Sequence, residues 1–325
     1  MNGYRRVAAA TGLAWMLGLG VGVVFASSAQ AVTATQDFGN LHVGPYANQT
    51  YTVFNHKAEV AIPSGQTFYL NANVKIGADA NGDIMEVTPK IVCSNGITLT
   101  SGINLLTGVS GIDTINTRGM VTGPAICDIQ TWVLPHNVNN TTGGTVYIYR
   151  AETFLEVLGG DWTGRYKQTQ LTANHWDNNY FSLISARLTP PVSATAVGAF
   201  FDSEITSCPS SLVDDDCAKA RILPGHTESR VGYQLYVVQY NSDDSVCTIL
   251  GGLPPFLWKT VTYQRHHEDT SGYVNSLPLS SACSSRNVRA VIRFASDGNT
   301  NGFYVNGNSW SSSTGNTTRV GVYSN

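Results

Sequence analysis

The chain is 325 residues long, with 19 basic and 22 acidic side chains, and only 13% of it is charged. Its lysines (Lys57, Lys75, Lys90, Lys167, Lys219 and Lys259) are scattered, so no basic stripe tracks phosphate, and nucleic acid and anionic membrane surfaces are poor partner candidates. Abundant Thr, Ser, Asn, Tyr and Val, with 32 glycines, favour strands and turns over helices.

Arg5 and Arg6 precede an apolar stretch from Val7 to Phe25, and Ala29-Gln30-Ala31 supplies small residues at the positions a signal peptidase reads. That order predicts a secretory signal over residues 1–31, cleaved before Val32. About 19 apolar residues could also just span a bilayer, but the Ala-Gln-Ala site and the glycine-rich apolar region favour cleavage. Gly3-Tyr4 and Val7-Ala8 do not support a twin-arginine signal, so general secretion is the expected route. The signal removes two basic residues and no acidic one, which leaves the mature chain at a net charge of −5. No C-terminal hydrophobic anchor follows, so no membrane span is expected after cleavage and the mature protein is expected outside the cell.

All six cysteines lie after the signal. An even number in an exported chain implies disulfides, and local pairing gives Cys93–Cys127, Cys208–Cys217 and Cys247–Cys283. No pair has C-x-x-C spacing, which argues against zinc.

Period-two alternation then marks the strands in chain order. Phe68, Leu70, Ala72, Val74 and Ile76 face one way, with Tyr69, Asn71, Asn73 and Lys75 on the opposite, wet face. Cys93 is in phase with Met85, Val87 and Ile91, and Cys127 with Ala125, Ile129 and Val133, so both thiols point into a core. Pro89 interrupts the first of these strands and predicts an edge or a bulge. The uncharged alternation from Ile97 to Val109 has the pattern of a pore-forming hairpin, which any half-buried strand pair shares. A strand is predicted from Val146 to Val157, and Leu158-Gly159-Gly160-Asp161 has linker composition. A short helix is expected over 209–221. Val231, Tyr233, Leu235 and Val237 form another apolar face, as do Val288, Ala290, Ile292 and Phe294 opposite Arg289 and Arg293. Turn signals recur at Asn81-Gly82, Gly143-Gly144, Asp297-Gly298 and Asn306-Gly307. The expected fold is all-β, with antiparallel β-sandwich or jelly-roll-like domains: an N-terminal one at 32–158 and a C-terminal one at 159–325 holding two of the disulfides.

Motifs for chemistry are weak. Asp297, Asn299 and Asn301 match the start of a calcium loop, but position twelve is Asn308 rather than the bidentate Glu required; a weak calcium site is the most this pattern offers, and no other cofactor is implied. Asp79-Ala80-Asn81-Gly82-Asp83 reads as a hairpin turn and Asp214-Asp215-Asp216 as solvated surface. Gln264 to Asp269 gathers titratable groups, yet His266 and His267 would face opposite ways on a strand. Glu152 and Glu156, in phase on one strand, would stand about 13 Å apart, beyond either glycosidase spacing. A Gly-x-Ser-x-Gly elbow is absent and Ser110 has no supporting context. An enzyme is therefore not the favoured reading.

Aromatics among amides are more suggestive. Trp176 with Asp177 and Asn179, Trp162 with Arg165, and Trp310 among Asn and Ser each place an indole in a polar setting, where a ring packs on sugar C–H faces and polar side chains bind hydroxyls. The alternative is that these rings fold back on the core. The sequence favours an exported, non-catalytic binding or adhesion protein whose partner is extracellular polysaccharide or an envelope surface. A structural surface-layer or appendage protein comes next, then an extracellular hydrolase, then a pore former.

Overall fold

The computed structural model describes residues 30–33, 41–43, 51–79, 84–100, 104–107, 112–136, 144–149, 152–158, 161–173, 175–207, 222–253, 256–262, 267–306 and 318–324. The apolar stretch of the signal, Cys208 and Cys217, residues 209–221, His266 and Trp310 lie outside the described residues.

The described chain is all-β, and every strand pairing is antiparallel. Sheet 1 is built on the long strand β4 (Thr67–Asp79), flanked on one side by β8 (Ile112–Thr122) and on the other by β10 (Gly144–Ile148) and β11 (Phe154–Leu158). Two short strands complete it, β1 (Gln30–Thr33) on β11 and β2 (Leu41–Val43) on β10. β1 straddles the expected cleavage point, so a chain beginning at Val32 keeps only half of it. Sheet 2 runs from the edge strand β3 (Thr52–Ile62) through β9 (Ala125–His136) to β5 (Ile84–Cys93), whose far side carries β6 (Thr98–Thr100) and β7 (Asn104–Thr107). Leu70, Ala72, Val74 and Ile76 of sheet 1 meet Val87, Ile91, Ile129 and Val133 of sheet 2 in one core.

The second sandwich repeats this plan. Sheet 3 comprises β12 (Tyr166–Gln170), β22 (Arg319–Ser324), β15 (Ala196–Thr206), β21 (Phe303–Val305) and β13 (His175–Asp177), with β19 (His267–Pro278) on β15. Sheet 4 comprises β14 (Tyr180–Ile184), β20 (Val288–Ser296), β16 (Glu228–Tyr240) and β17 (Val246–Gly252), with β18 (Leu257–Thr262) also on β16. Val231, Leu235, Val237, Ala290, Ile292 and Phe294 of sheet 4 pack on Val197, Phe201, Ile205 and Val322 of sheet 3. The apolar faces read from period-two alternation are therefore the core faces.

Cys93 stands directly opposite Cys127 in the β5–β9 register, and the two form a buried disulfide with Cα atoms 4.1 Å apart. Cys247 of β17 bonds Cys283, with Cα atoms 5.7 Å apart, and ties β17 to the loop before β20. Pro89 is not at an edge: β5 lies between β9 and the β6/β7 pair. β6 pairs with Lys90–Val92 and β7 with Ile84–Val87, so the proline falls in the gap between them, where no ladder N–H is required. Within the stretch Ile97 to Val109, the two described strands β6 and β7 lie end to end along β5. The strand expected from Val146 to Val157 is split into β10 and β11, and Glu152 lies between them.

The wet face expected for β4 is also corrected. Tyr69 is only 2% exposed and Asn71 is buried, because this face docks against sheet 3. Tyr69 packs on Phe200 with ring centroids 4.6 Å apart, Trp162 packs on Tyr323 at the same separation, and Met120 joins them. Glycine makes the fit. A Cβ at Gly321 would come within 2.3 Å of the Phe200 ring, and one at Gly198 within 2.3 Å of Tyr323. Around this aromatic plug, Asp202 accepts the backbone N–H of Arg118 at 3.0 Å and pairs with Arg319 at 3.5 Å. The Arg118 Nε donates to Asn71 at 2.7 Å. The segment after the expected linker is fixed as well: Trp162 donates its N–H to the Thr67 carbonyl and Asp161 accepts the Thr67 N–H.

Candidate functional site

The sequence-predicted residues separate into three groups. Trp162 is 9% exposed and sealed into the plug between the sandwiches, so its ring is structural and not open to a ligand. Arg165 is exposed beside it, its backbone bonded to Trp162 and Ser324. Trp176 on β13 is 37% exposed, and its indole lies across the backbone of Gly302, where a Cβ would meet Nε1 at 2.3 Å. Asp177 accepts the N–H groups of Asn179 and Tyr180 at 3.0 and 2.9 Å. Burial pushes its carboxyl up, but these bonds and nearby His175 hold it below the usual carboxylate range. Asp177 thus closes the β13–β14 turn and sets Tyr180 at the head of β14, while Asn179 is exposed on that turn.

The calcium pattern resolves differently from its motif. Asp297 accepts the N–H of Asn299 and the hydroxyl of Ser229 on one oxygen, and the N–H of Arg230 on the other, with the Arg230 guanidinium 3.5 Å away. Gly298 has a positive φ of 88°, as a tight turn requires. Asp297 is therefore a turn-closing carboxylate partnered by a cation. Among the described residues no group of three His, Cys, Asp or Glu side chains could hold a metal ion.

Acidic groups do cluster at the junction, but deeply. Glu204 is buried 3.0 Å from His267 Nδ1 and accepts from Asn306, and Tyr51 donates to buried Glu86 at 2.5 Å. Burial raises the Asp202 carboxyl to about 6 against the pull of Arg319 and Arg118, with Asp269 beside it. Lys90, its ammonium 3.7 Å above the Trp132 ring, is lowered by burial to about 8. Of these groups Asp202 bridges the two sandwiches, through the backbone N–H of Arg118 on β8; the other pairings lie within one sandwich or the other. Glu156 is likewise engaged by Asn71, and Glu152 by Lys75. A groove of about 740 Å³ on the outer side of sheet 2 is lined by Asn55, Lys57, Ile126, Asp128 and Gln130. Its polar groups are largely turned on one another: Gln130 donates to Asn55, and Asp128 caps the β3 bulge at Ala58 and Glu59.

The outer face of sheet 4 is different. Because Val231, Tyr233, Leu235 and Val237 of β16 point inward, Gln234, Tyr236, Val238 and Tyr240 must point outward. The register sets Arg293 opposite Gln234, Val291 opposite Tyr236 and Arg289 opposite Val238. β14 adds Tyr180 and Ile184, β17 adds Ile249, and β18 lays Trp258 across Gly232. The Arg293 guanidinium lies 4.8 Å from the Tyr236 ring centroid and 5.6 Å from that of Tyr180, and Arg289 lies 5.9 Å from Tyr240. Burial raises the Tyr236 phenol, with Arg293 opposing. The result is a ladder of rings interleaved with cations, bordered by exposed apolar side chains: Tyr180 is 41% exposed, Trp258 45% and Ile249 61%. Apolar surface gathered in this way marks an interaction site more often than chance exposure does. Sequence reasoning looked for tryptophans in loops and missed this face. Its signal was Tyr and Arg at alternate positions on strands that only the fold makes neighbours.

No family model and no curated protein matches the chain. Among solved structures, it is similar to the N-terminal CBM22-1–CBM22-2 tandem domain of Xyn10C from Paenibacillus barcinonensis. That match has 9% identity and a TM-score of 0.24, and covers 90% of this chain and 100% of that one. It is also similar to a protein of Parabacteroides distasonis, at 8% identity and a TM-score of 0.20, over 91% of this chain and 88% of that one. At these TM-scores neither likeness bears on fold or function.

Proposed function

We propose that the protein is an exported, non-catalytic binding protein, and that the outer face of sheet 4 is the adhesive surface through which it holds extracellular polysaccharide. The observation that carries this reading is the ladder of Tyr180, Arg293, Tyr236, Arg289 and Tyr240, whose centre at Tyr236 is packed among its neighbours while Tyr180, Trp258 and Ile249 stand exposed around it. Rings and aliphatic side chains pack on the C–H faces of sugars, and guanidinium groups bind their oxygens. A β-sheet presents these groups on hydrogen-bonded strands with little ordering to be done on binding, which favours affinity. Export is supported by the N-terminal pattern of Arg5-Arg6, the Val7–Phe25 stretch and Ala29-Gln30-Ala31. The two disulfides suit an oxidising compartment, and no helix of the described residues is long and apolar enough to cross a membrane. Each sandwich is taken as one domain, dividing at 32–158 and 159–325.

The test is retention of the purified mature chain on insoluble and immobilised polysaccharides, with Tyr180→Ala and Trp258→Ala alongside. Both side chains are exposed, so the variants should fold normally and lose roughly tenfold or more in retention, by analogy with the 1–3 kcal/mol of an aromatic stacking contact. Equal retention of both variants and the wild type would remove the face from the reading. If light scattering instead shows ordered self-assembly that Ile249→Asp and Ile184→Asp abolish, the cover of this face is a second copy and the appendage reading replaces the binding one.

A further inference from the structure

The two arginines of the sheet 4 face differ from the other well-placed arginines of the protein. Arg187 has a carboxylate at 2.7 Å, Arg230 at 3.5 Å and Arg319 at 3.5 Å, while Arg286 donates to the carbonyls of Pro190, Pro191 and Ala194. Arg289 and Arg293 have neither. Among the described residues they make no ion pair, their contacts are with the rings of Tyr240, Tyr236 and Tyr180, and the Nε of each is buried without a hydrogen-bond partner. A cation partly withdrawn from water and left without a counter-charge is unfavourable unless something returns the interaction. Ring faces return only part of it. Both arginines stand on the outer side of one strand, four residues apart, so their Cα atoms are about 13 Å apart, and their guanidiniums lie over different rings, Arg293 by Tyr236 and Tyr180 and Arg289 by Tyr240. That distance is too long for one carboxylate to bridge and suits two acidic groups along a chain.

Resting on the binding reading above, we infer that the polysaccharide held by sheet 4 is an acidic one, whose carboxylate groups neutralise Arg289 and Arg293 while its sugar rings lie across Trp258, Ile184 and Ile249. Carboxylate matches the planar fork of a guanidinium. The neighbouring aliphatic side chains suit sugar C–H faces better than nucleobases, which stack on open rings. Here the rings of Tyr236 and Tyr240 are already engaged by the guanidiniums, and only Tyr180, 41% exposed, keeps open surface. The mature chain's net charge of −5 further disfavours a densely charged phosphate polymer but leaves room for a local, two-cation site.

The experiment compares polygalacturonate and alginate with neutral galactan and dextran, and with oligo(dT), in binding to the intact protein at low and moderate salt. The expected result is binding to the carboxylated polymers only, weakened severalfold as salt rises. It should also fall about tenfold to a hundredfold with Arg293→Gln or Arg289→Gln, and stay unchanged in Arg187→Gln. Near-ultraviolet circular dichroism checks that the variants are folded, and the salt dependence of the wild type remains decisive if one is not. Equal binding of neutral polymers, unaffected by salt or by the arginine variants, overturns the acidic ligand while leaving the binding face standing. No retention of any polysaccharide removes both, and a preference for oligo(dT) overturns the assignment in favour of nucleic acid.

Discussion

The outer faces of β4 with β8 and of β16 with β20 have nearly the same chemistry and opposite surroundings. Each carries tyrosine and arginine on the side turned away from its own sandwich core: Tyr69 and Arg118 on the first, Tyr236, Tyr240, Arg289 and Arg293 on the second. The first face is covered. Tyr69 meets Phe200, Arg118 bonds Asn71 and lies 5.3 Å from the Tyr273 ring, and Asp202 supplies the negative charge. The second face has rings and cations, its margin at Tyr180, Trp258 and Ile249 is exposed, and among the described residues no carboxylate pairs with its arginines. A surface with the make-up of a buried joint, left open, is what a partner from outside the chain would complete. The covered face thus acts as an internal control, showing how the protein satisfies such a surface when the partner is its own.

The comparison breaks most readily at the covered face. Phe200 is fully buried under Tyr69, so Phe200→Ala should lower stability by about 3–5 kcal/mol, the range for deleting a core phenylalanine. Denaturant unfolding followed at tyrosine and tryptophan would show it. A change below about 1 kcal/mol would mean that the two sandwiches barely depend on their contact. The acidic groups of the joint would then be available for other roles.

A second break uses pH. Asp202 holds its proton to about 6 in the fold because burial outweighs Arg319 and Arg118, against about 3.9 when unfolded. Its contribution is therefore complete below about pH 4 and is lost as pH rises through about 6. His56, in the first sandwich, is lowered by burial to about 4, against about 6.5 unfolded. Its contribution is present above about pH 6.5 and is lost as pH falls through about 4. The two slopes oppose each other between about pH 4 and 6, so the wild type should change little there. Asp202→Asn should leave the His56 slope exposed and lose about 2 kcal/mol between about pH 6.5 and 4.5, whereas His56→Gln should gain stability over the same interval. Urea midpoints across that range decide it, and parallel curves for all three proteins would show that neither group is linked to folding.

The two faces also mark where the sequence is readable. Alternation placed Leu70, Val74, Leu235 and Ile292 correctly in the cores, because each of these strands buries one side and the period of two records it. The phase of Cys93 and Cys127 located their bridge for the same reason. Alternation carries no information about what lies beyond the polar side, so Tyr69 and Asn71 read as wet although they are buried. Pro89 misled because a gap between two partner strands, β6 and β7, is not a local property of its strand. Trp162 drew attention by its polar neighbours, yet its burial depends on Tyr323, which arrives from the far end of the chain. The arginine ladder was hidden for a similar reason: Arg293 becomes the neighbour of Tyr180 and Tyr236 only through the pairings of β20 with β14 and β16.

The smallest effect sharpens the contrast furthest. Ile249 is 61% exposed at the margin of the open ladder, so Ile249→Thr removes little buried surface and should change stability by no more than about 0.5 kcal/mol. Threonine keeps the β-branch that suits β17, so any loss of polysaccharide retention in this variant reports contact with ligand rather than damage to the sheet. In the core of the first sandwich, the same kind of change in Leu99, which is buried where a Cβ on Gly119 would come within 2.9 Å of it, should cost several times more stability. If Ile249→Thr proved as destabilising as Leu99→Thr, the open face would already be covered in solution, and the site for polysaccharide would have to be sought elsewhere.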